Sequence, residues 1–316
     1  MIAGVTADWR VTQMRAYYRN HRRGVLAALL ASSLLVTGPG VASTDEDRMA
    51  RLPADQQSLA RDMIDFVARM EEQYFARIEQ INGGLELETL YRETEDTDYE
   101  VRVSRGDVIE KAGSLLAIGK KPLPNRPEGR ARWSRFYSLD FHPRTPLVGM
   151  LHATIVLQSY EDGSVGAGGW LGVMNGTRID EDMTGLATLV DDYFARHGRD
   201  PAVYRHLMIR GTHDTVAKWR RQPDPAGVSF YGPPVFQDDP RRSWEFIAGL
   251  FELFVDEYID IIIRRADQAW SEADLQAQEE MRRRWLLDQL FSDPFSSELV
   301  PFEVWSLANV PPVIRF

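Results

Sequence analysis

The chain has 316 residues with 44% hydrophobic and 27% charged content, ordinary proportions for a globular protein and enough for one large domain or two small ones. Its formal charge of −10 argues against nucleic acid as the main partner, because a phosphate backbone wants a basic face. Cysteine is absent, which excludes a disulfide framework, cysteine metal clusters, a thiol nucleophile and a lipoprotein anchor.

The stretch MRAYYRNHRRGVLAALLASSLLVTGPGVAS opens basic at Arg15, Arg19, Arg22 and Arg23 and runs apolar from Val25 to Val36. It then passes Pro39-Gly40 and ends on small residues. So short an apolar run does not span a bilayer comfortably as a helix. It fits a signal peptide over residues 1–42, cleaved after Ala42, with Met14 as an alternative start. Arg22-Arg23 also suits a twin-arginine address. The expected location is periplasmic or secreted, with no stable membrane anchor after cleavage. A buried or membrane-surface helix is the competing reading, and it would leave the protein cytoplasmic. Residues 43–316 are then one domain.

Residues 55–80 place Leu59, Met63, Phe66, Met70, Tyr74 and Ile78 at helical spacing, and Asn82-Gly83-Gly84 ends that helix. Strands are expected at 99–110, 135–142 and 148–158, with a proline-bearing loop from Lys120 to Arg132. Helices follow at 181–196, at 243–264 with Ser243 as N-cap, and at 271–290 behind a Ser271–Asp274 capping pattern. A short apolar tail, VWSLANVPPVIRF, closes the chain. Strands in the middle with helices at both ends indicate an α+β fold.

LDFHPRTPLVGMLHATIV, residues 139–156, holds two of the six histidines. Pro143 and Pro146 cannot both sit inside a central strand, so HPRTP is a turn between two strands. In the second strand Leu151, Ala153, Ile155 and Leu157 share an apolar face. His152 and Thr154 point the other way, into a cleft or under a helix. A histidine so placed is either a satisfied hydrogen-bonding residue or a proton-transfer group. The basic run of Lys120, Lys121, Arg126, Arg130, Arg132, Arg135 and Arg144 reads either as a polyanion grip or as a solvated loop. His206 and His213 offer a weak metal pairing. Some of Trp133, Trp170, Trp219, Trp244, Trp270, Trp285 and Trp305 could form a stacking wall for a planar ligand. No Gly-x-Ser-x-Gly motif supports a serine hydrolase.

SLDFHPRTPLVGMLHATIV resembles the hallmark of the oxygen-dependent coproporphyrinogen III oxidase family, a Ser-x-x-x-His-Pro-x-Asn-Pro turn followed by a His-x-Asn-x-Arg strand. RGDVIEKAG, GGWLG, AGVSF, the helix FIAGLFELFVDEYIDIIIRR and the tail SLANVPPVIRF are similar to further segments of that family in the same order, over about residues 50–316. The resemblance implies a large antiparallel sheet flanked by helices on both faces, and a homodimer. It also implies oxidative decarboxylation of porphyrinogen propionates to vinyl groups, with oxygen as co-substrate and no required cofactor. His152 falls on the family's proton-transfer histidine and Ser138 on its substrate-contacting serine. His142 falls on a proposed metal-ligand position, which would pair with His152 were a divalent metal bound. Thr154 and Arg144 complete the expected substrate contacts. Four positions depart from the pattern. Val156 replaces the strand's arginine, Gly176 an aspartate, and Tyr231-Gly232 an Asp-Asp pair, while the Gly-Gly-Arg before the tail has no counterpart. A non-catalytic relative that binds a tetrapyrrole or other planar polycarboxylate is the alternative.

Overall fold

The computed structural model describes residues 45–121, 131–174, 176–177, 179–210, 226–291 and 300–315. The chain divides between residues 43 and 44, and everything described lies in the second unit. The expected signal peptide therefore falls outside the described residues, as do Arg126, Arg130, His213 and Trp219.

Two helices open the fold, α1 (Asp45–Ala50) and α2 (Ala54–Asn82). The periodicity that predicts α2 is the stripe it buries, from Leu59 through Ile78, and Gly83 ends it at φ 73°, where a side chain would be strained. Six strands follow as a meander: β1 (Leu87–Glu93), β2 (Thr97–Ser104), β3 (Ile109–Gly119), β4 (Ala131–Pro143), β5 (Met150–Tyr160) and β6 (Val165–Met174). After α3 (Asp180–Arg196) and α4 (Ala202–Arg210), the two-residue β7 (Val228–Ser229) completes a seven-stranded antiparallel sheet in simple sequential order. Then come α5 (Pro240–Arg265), α6 (Glu272–Phe291) and α7 (Phe302–Asn309). The architecture is α+β. No helix among the described residues is long and apolar enough to cross a membrane.

Two expectations are corrected. The strand expected at 99–110 is two strands, β2 and β3, joined by a turn at 105–108. That turn is closed from outside: Asn82 Oδ1 accepts from the Val108 and Ile109 amides. Ser243 is not an N-cap. Asp239 caps α5 by accepting from the Arg242 amide, and Ser243 lies inside the helix with its hydroxyl on the Phe236 backbone.

Helices cover both faces of the sheet. On one face Leu139, Phe141, Leu151, Ala153, Ile155, Leu157, Leu171 and Val173 meet α2, α3 and α5 in the main core. From α5 alone, Phe246, Leu250, Phe251, Phe254, Tyr258 and Ile262 are buried there. Each such side chain contributes roughly 1.5–3 kcal/mol. The other face carries two smaller apolar clusters, one under α7 around Val101, Leu115, Val304 and Trp305, and one under α6 around Met150, Trp170 and Trp285. Between these clusters the sheet is polar.

Candidate functional site

The hairpin predicted from HPRTP is present, and it is held from both faces. The Tyr258 hydroxyl, from α5, donates to the carbonyl of Gly149 at 2.7 Å. From α6, Gln278 Nε2 reaches the carbonyls of Pro143, Arg144 and Thr145 at 3.2–3.3 Å, and Arg282 joins Glu110 at 2.7 Å. The buried stripe of α6 is thus Gln278, Met281, Arg282, Trp285 and Gln289, an unusually polar face for a helix packed on a sheet.

Register assembles the site. Ser138 pairs with Thr154 and Asp140 with His152 across β4 and β5. Gly113 lies opposite Asp140 on the β3 side, and Lys111 opposite His142. Because alternate residues share a face, Lys111, Ser138, Asp140, His142, His152 and Thr154 all stand on the α6–α7 side. The structure thus brings Ser138, which only the resemblance had singled out, onto the face that His152 and Thr154 share, and His152 lies under a helix: its ring centroid is 4.9 Å from that of Trp285.

Asp140 was missed. It is 1% exposed, and its Oδ1 accepts from His152 Nδ1 at 2.8 Å. Its Oδ2 accepts from the amide nitrogen of Asn309, at the end of α7. A carboxylate offers only acceptors, so His152 carries its proton on Nδ1 and leaves Nε2 as a base. The His152 side chain keeps 13% exposure against 1% for Asp140, making it the member of the pair that a ligand can approach. Lys111 was also missed as a site residue. Its ammonium donates to the Val310 carbonyl at 2.5 Å, and burial pushes its pKa down to about 7 despite the nearby Asp140 charge.

His142 is of a different kind. It is 1% exposed, and neither ring nitrogen makes an ordinary hydrogen bond. Burial first, and then the charges of Lys111 and Arg282, hold its pKa well below the usual imidazole range, although the Asn309 backbone pulls the other way. His142 is a neutral interior group. Among the described residues, no cluster of three or more His, Asp or Glu side chains is placed to hold a metal. Ser138 Oγ is buried without a partner, whereas Thr154 Oγ1 bonds Tyr231 Oη at 2.9 Å.

The remaining predicted residues lie elsewhere. Arg144 stands exposed at the hairpin turn, bonded to Asp107 at 2.8 Å. Of the other basic residues in that run, Lys120 meets Asp98, Lys121 meets Glu95, and Arg135 meets Asp45, while Arg132 donates to the Glu161 carbonyl at 3.0 Å. Trp170 and Trp285 reach the site face, but Trp133 and Trp244 belong to the opposite core, Trp305 to the cluster under α7, and Trp270 is half exposed.

No family model matches this chain. The departures from the resemblance can be seen in the packing. Val156 is buried, and a Cβ added at Gly168 would stand 3.1 Å from it and 3.4 Å from the Tyr231 ring. At Gly176 a Cβ would come within 2.8 Å of the Ala277 carbonyl on α6. There is no room there for the aspartate that the resemblance would supply.

Proposed function

We propose that this protein is a divergent relative of the oxygen-dependent coproporphyrinogen III oxidases, acting on the propionates of a porphyrinogen through His152. The observation that carries the reading is the His152–Asp140 hydrogen bond, on the hairpin that the resemblance singles out and beside Ser138 and Thr154. A helix-flanked antiparallel sheet is the architecture that the resemblance implies, which supports the reading without deciding it.

In this account each propionate and one oxygen molecule, with one proton, give a vinyl group, carbon dioxide and hydrogen peroxide. The carboxylate carbon leaves as carbon dioxide, and a hydrogen with its electron pair passes from the ring-proximal carbon to oxygen. Asp140 fixes the tautomer, so that His152 Nε2 exchanges a proton with the substrate. Ser138 and Thr154 stand beside His152 on the same sheet face, buried together with Trp170 and Trp285, so a planar ring reaches their hydroxyls only by displacing that packing. Export, resting on the pattern of residues 1–42, and a homodimer, resting on the resemblance, belong to the same proposal.

A second reading has its own observation. The filled space at Gly176 and the packing of Val156 beside Gly168 and Tyr231 leave no place for two groups that the resemblance would put on a porphyrinogen. That counts against turnover and makes a non-catalytic relative, binding a planar polycarboxylate through other residues, the second reading. Aerobic incubation with coproporphyrinogen III, with products separated by chromatography, distinguishes the two. Vinyl product that disappears in His152→Ala supports the enzyme. Saturable binding without product, from folded protein, supports the binder.

A further inference from the structure

Residues 308–310, at the end of α7, reach the site face of the sheet. Asn309 donates its side-chain amide to Asp140 Oδ2, and its backbone carbonyl accepts from Trp285 Nε1 at 3.0 Å. The next carbonyl, of Val310, accepts from Lys111. The preceding one, of Ala308, lies so close to the sheet that a Cβ at Gly113 would stand 2.5 Å from it. Three successive residues of one segment thus contact Gly113, Asp140, Trp285 and Lys111. Asn309 is 5% exposed and Asp140 1%, so water is a poor substitute for either partner.

We infer that Asn309 is a positioning residue for His152 and that the C-terminal segment completes the site. Asp140 has two carboxylate oxygens and two directed donors. With Asn309 on Oδ2, the carboxylate plane is fixed and Oδ1 is aimed at His152 Nδ1. Without that donor the carboxylate can turn about its χ2, a broad torsion, and the histidine loses the partner that fixes its tautomer. The coupling runs from the tail to the base through one side chain. It deepens the functional reading above, but its structural content does not depend on the substrate.

The test is the nitrogen NMR spectrum of the His152 ring, recorded in the intact protein where the imidazole is neutral. The wild type should show the Nδ1–H form alone. Asn309→Ala should give a mixture of tautomers. Asn309→Leu, nearly the same shape but without the donor, should do the same. Lys111→Met touches the tail without touching Asp140 by hydrogen bond, and it should shift the mixture in the same direction by less. If the protein turns over coproporphyrinogen III, kcat of Asn309→Ala should fall by up to about 100-fold with KM unchanged, the scale of a misplaced catalytic group. Folded Asn309 variants that keep a pure Nδ1–H ring would overturn the inference, whatever they do to stability. A tautomer change in a protein with no such turnover would leave the positioning role standing and remove the oxidase reading alone.

Discussion

Replacing Lys111 by methionine should stabilise the protein below neutral pH and reverse sign in alkali. Lys111 is 2% exposed, and burial lowers its pKa from 10.5 to about 7. The unfolded chain keeps the ordinary value, so between about pH 7 and 10.5 it binds more protons than the folded chain. Wild-type stability therefore rises with pH through that window, and below it the whole penalty is present. The fall corresponds to on the order of 5 kcal/mol, at about 1.4 kcal/mol per pKa unit. Methionine removes that penalty but strips the Val310 carbonyl of its donor, a loss of about 1–3 kcal/mol for a buried group. The variant should thus be more stable by a few kcal/mol at pH 6 and less stable by about 1–3 kcal/mol above pH 10. Urea unfolding of both proteins from pH 6 to 10.5 measures this directly. Parallel stability profiles would refute the reasoning, since they would mean that Lys111 titrates alike in both states.

Further outcomes follow from the same contacts. Gly113→Ala should destabilise by about 1–3 kcal/mol in urea unfolding, because the new Cβ meets a backbone carbonyl rather than a flexible side chain. Tyr258→Phe should lose about 1–3 kcal/mol by leaving the Gly149 carbonyl without its donor, and amide hydrogen exchange should quicken at the 144–149 turn. Asp140→Asn should invert the His152 tautomer: Asn309 still needs an acceptor, so the new amide nitrogen faces Nδ1 and the ring proton moves to Nε2. Its NMR spectrum should show the Nε2–H form, with turnover reduced but the fold intact.

The sequence makes the hairpin readable because two independent signals coincide there. Pro143 and Pro146 force a turn, and the apolar Leu151, Ala153 and Ile155 alternate with His152 and Thr154 at the strand period. The same alternation runs through β4, where Ser138, Asp140 and His142 interleave with Leu139 and Phe141, so the face that Asp140 shares with His152 is legible in the pattern. Other elements carry no such signal. Almost every residue of β1 is exposed, so no burial pattern marks it. Strand β6 is rich in glycine, normally evidence against a strand. Gly169 is needed because a Cβ there would meet the Thr154 carbonyl at 2.5 Å. Asn309 lies 169 residues from Asp140, and nothing local in SLANVPPVIRF announces that its asparagine completes a distant carboxylate. Lys111 belongs to a recognised segment, but its depressed pKa comes from tertiary burial that composition does not show.

The central claim is that His152, held by Asp140, moves protons for an oxygen-dependent decarboxylation. The most direct measurement is paired oxygen uptake and carbon dioxide release from coproporphyrinogen III by the purified protein. The account predicts equal amounts of the two, both lost in His152→Ala and reduced in Asp140→Asn. Folded wild-type protein that consumes no oxygen and releases no carbon dioxide from this substrate would contradict it.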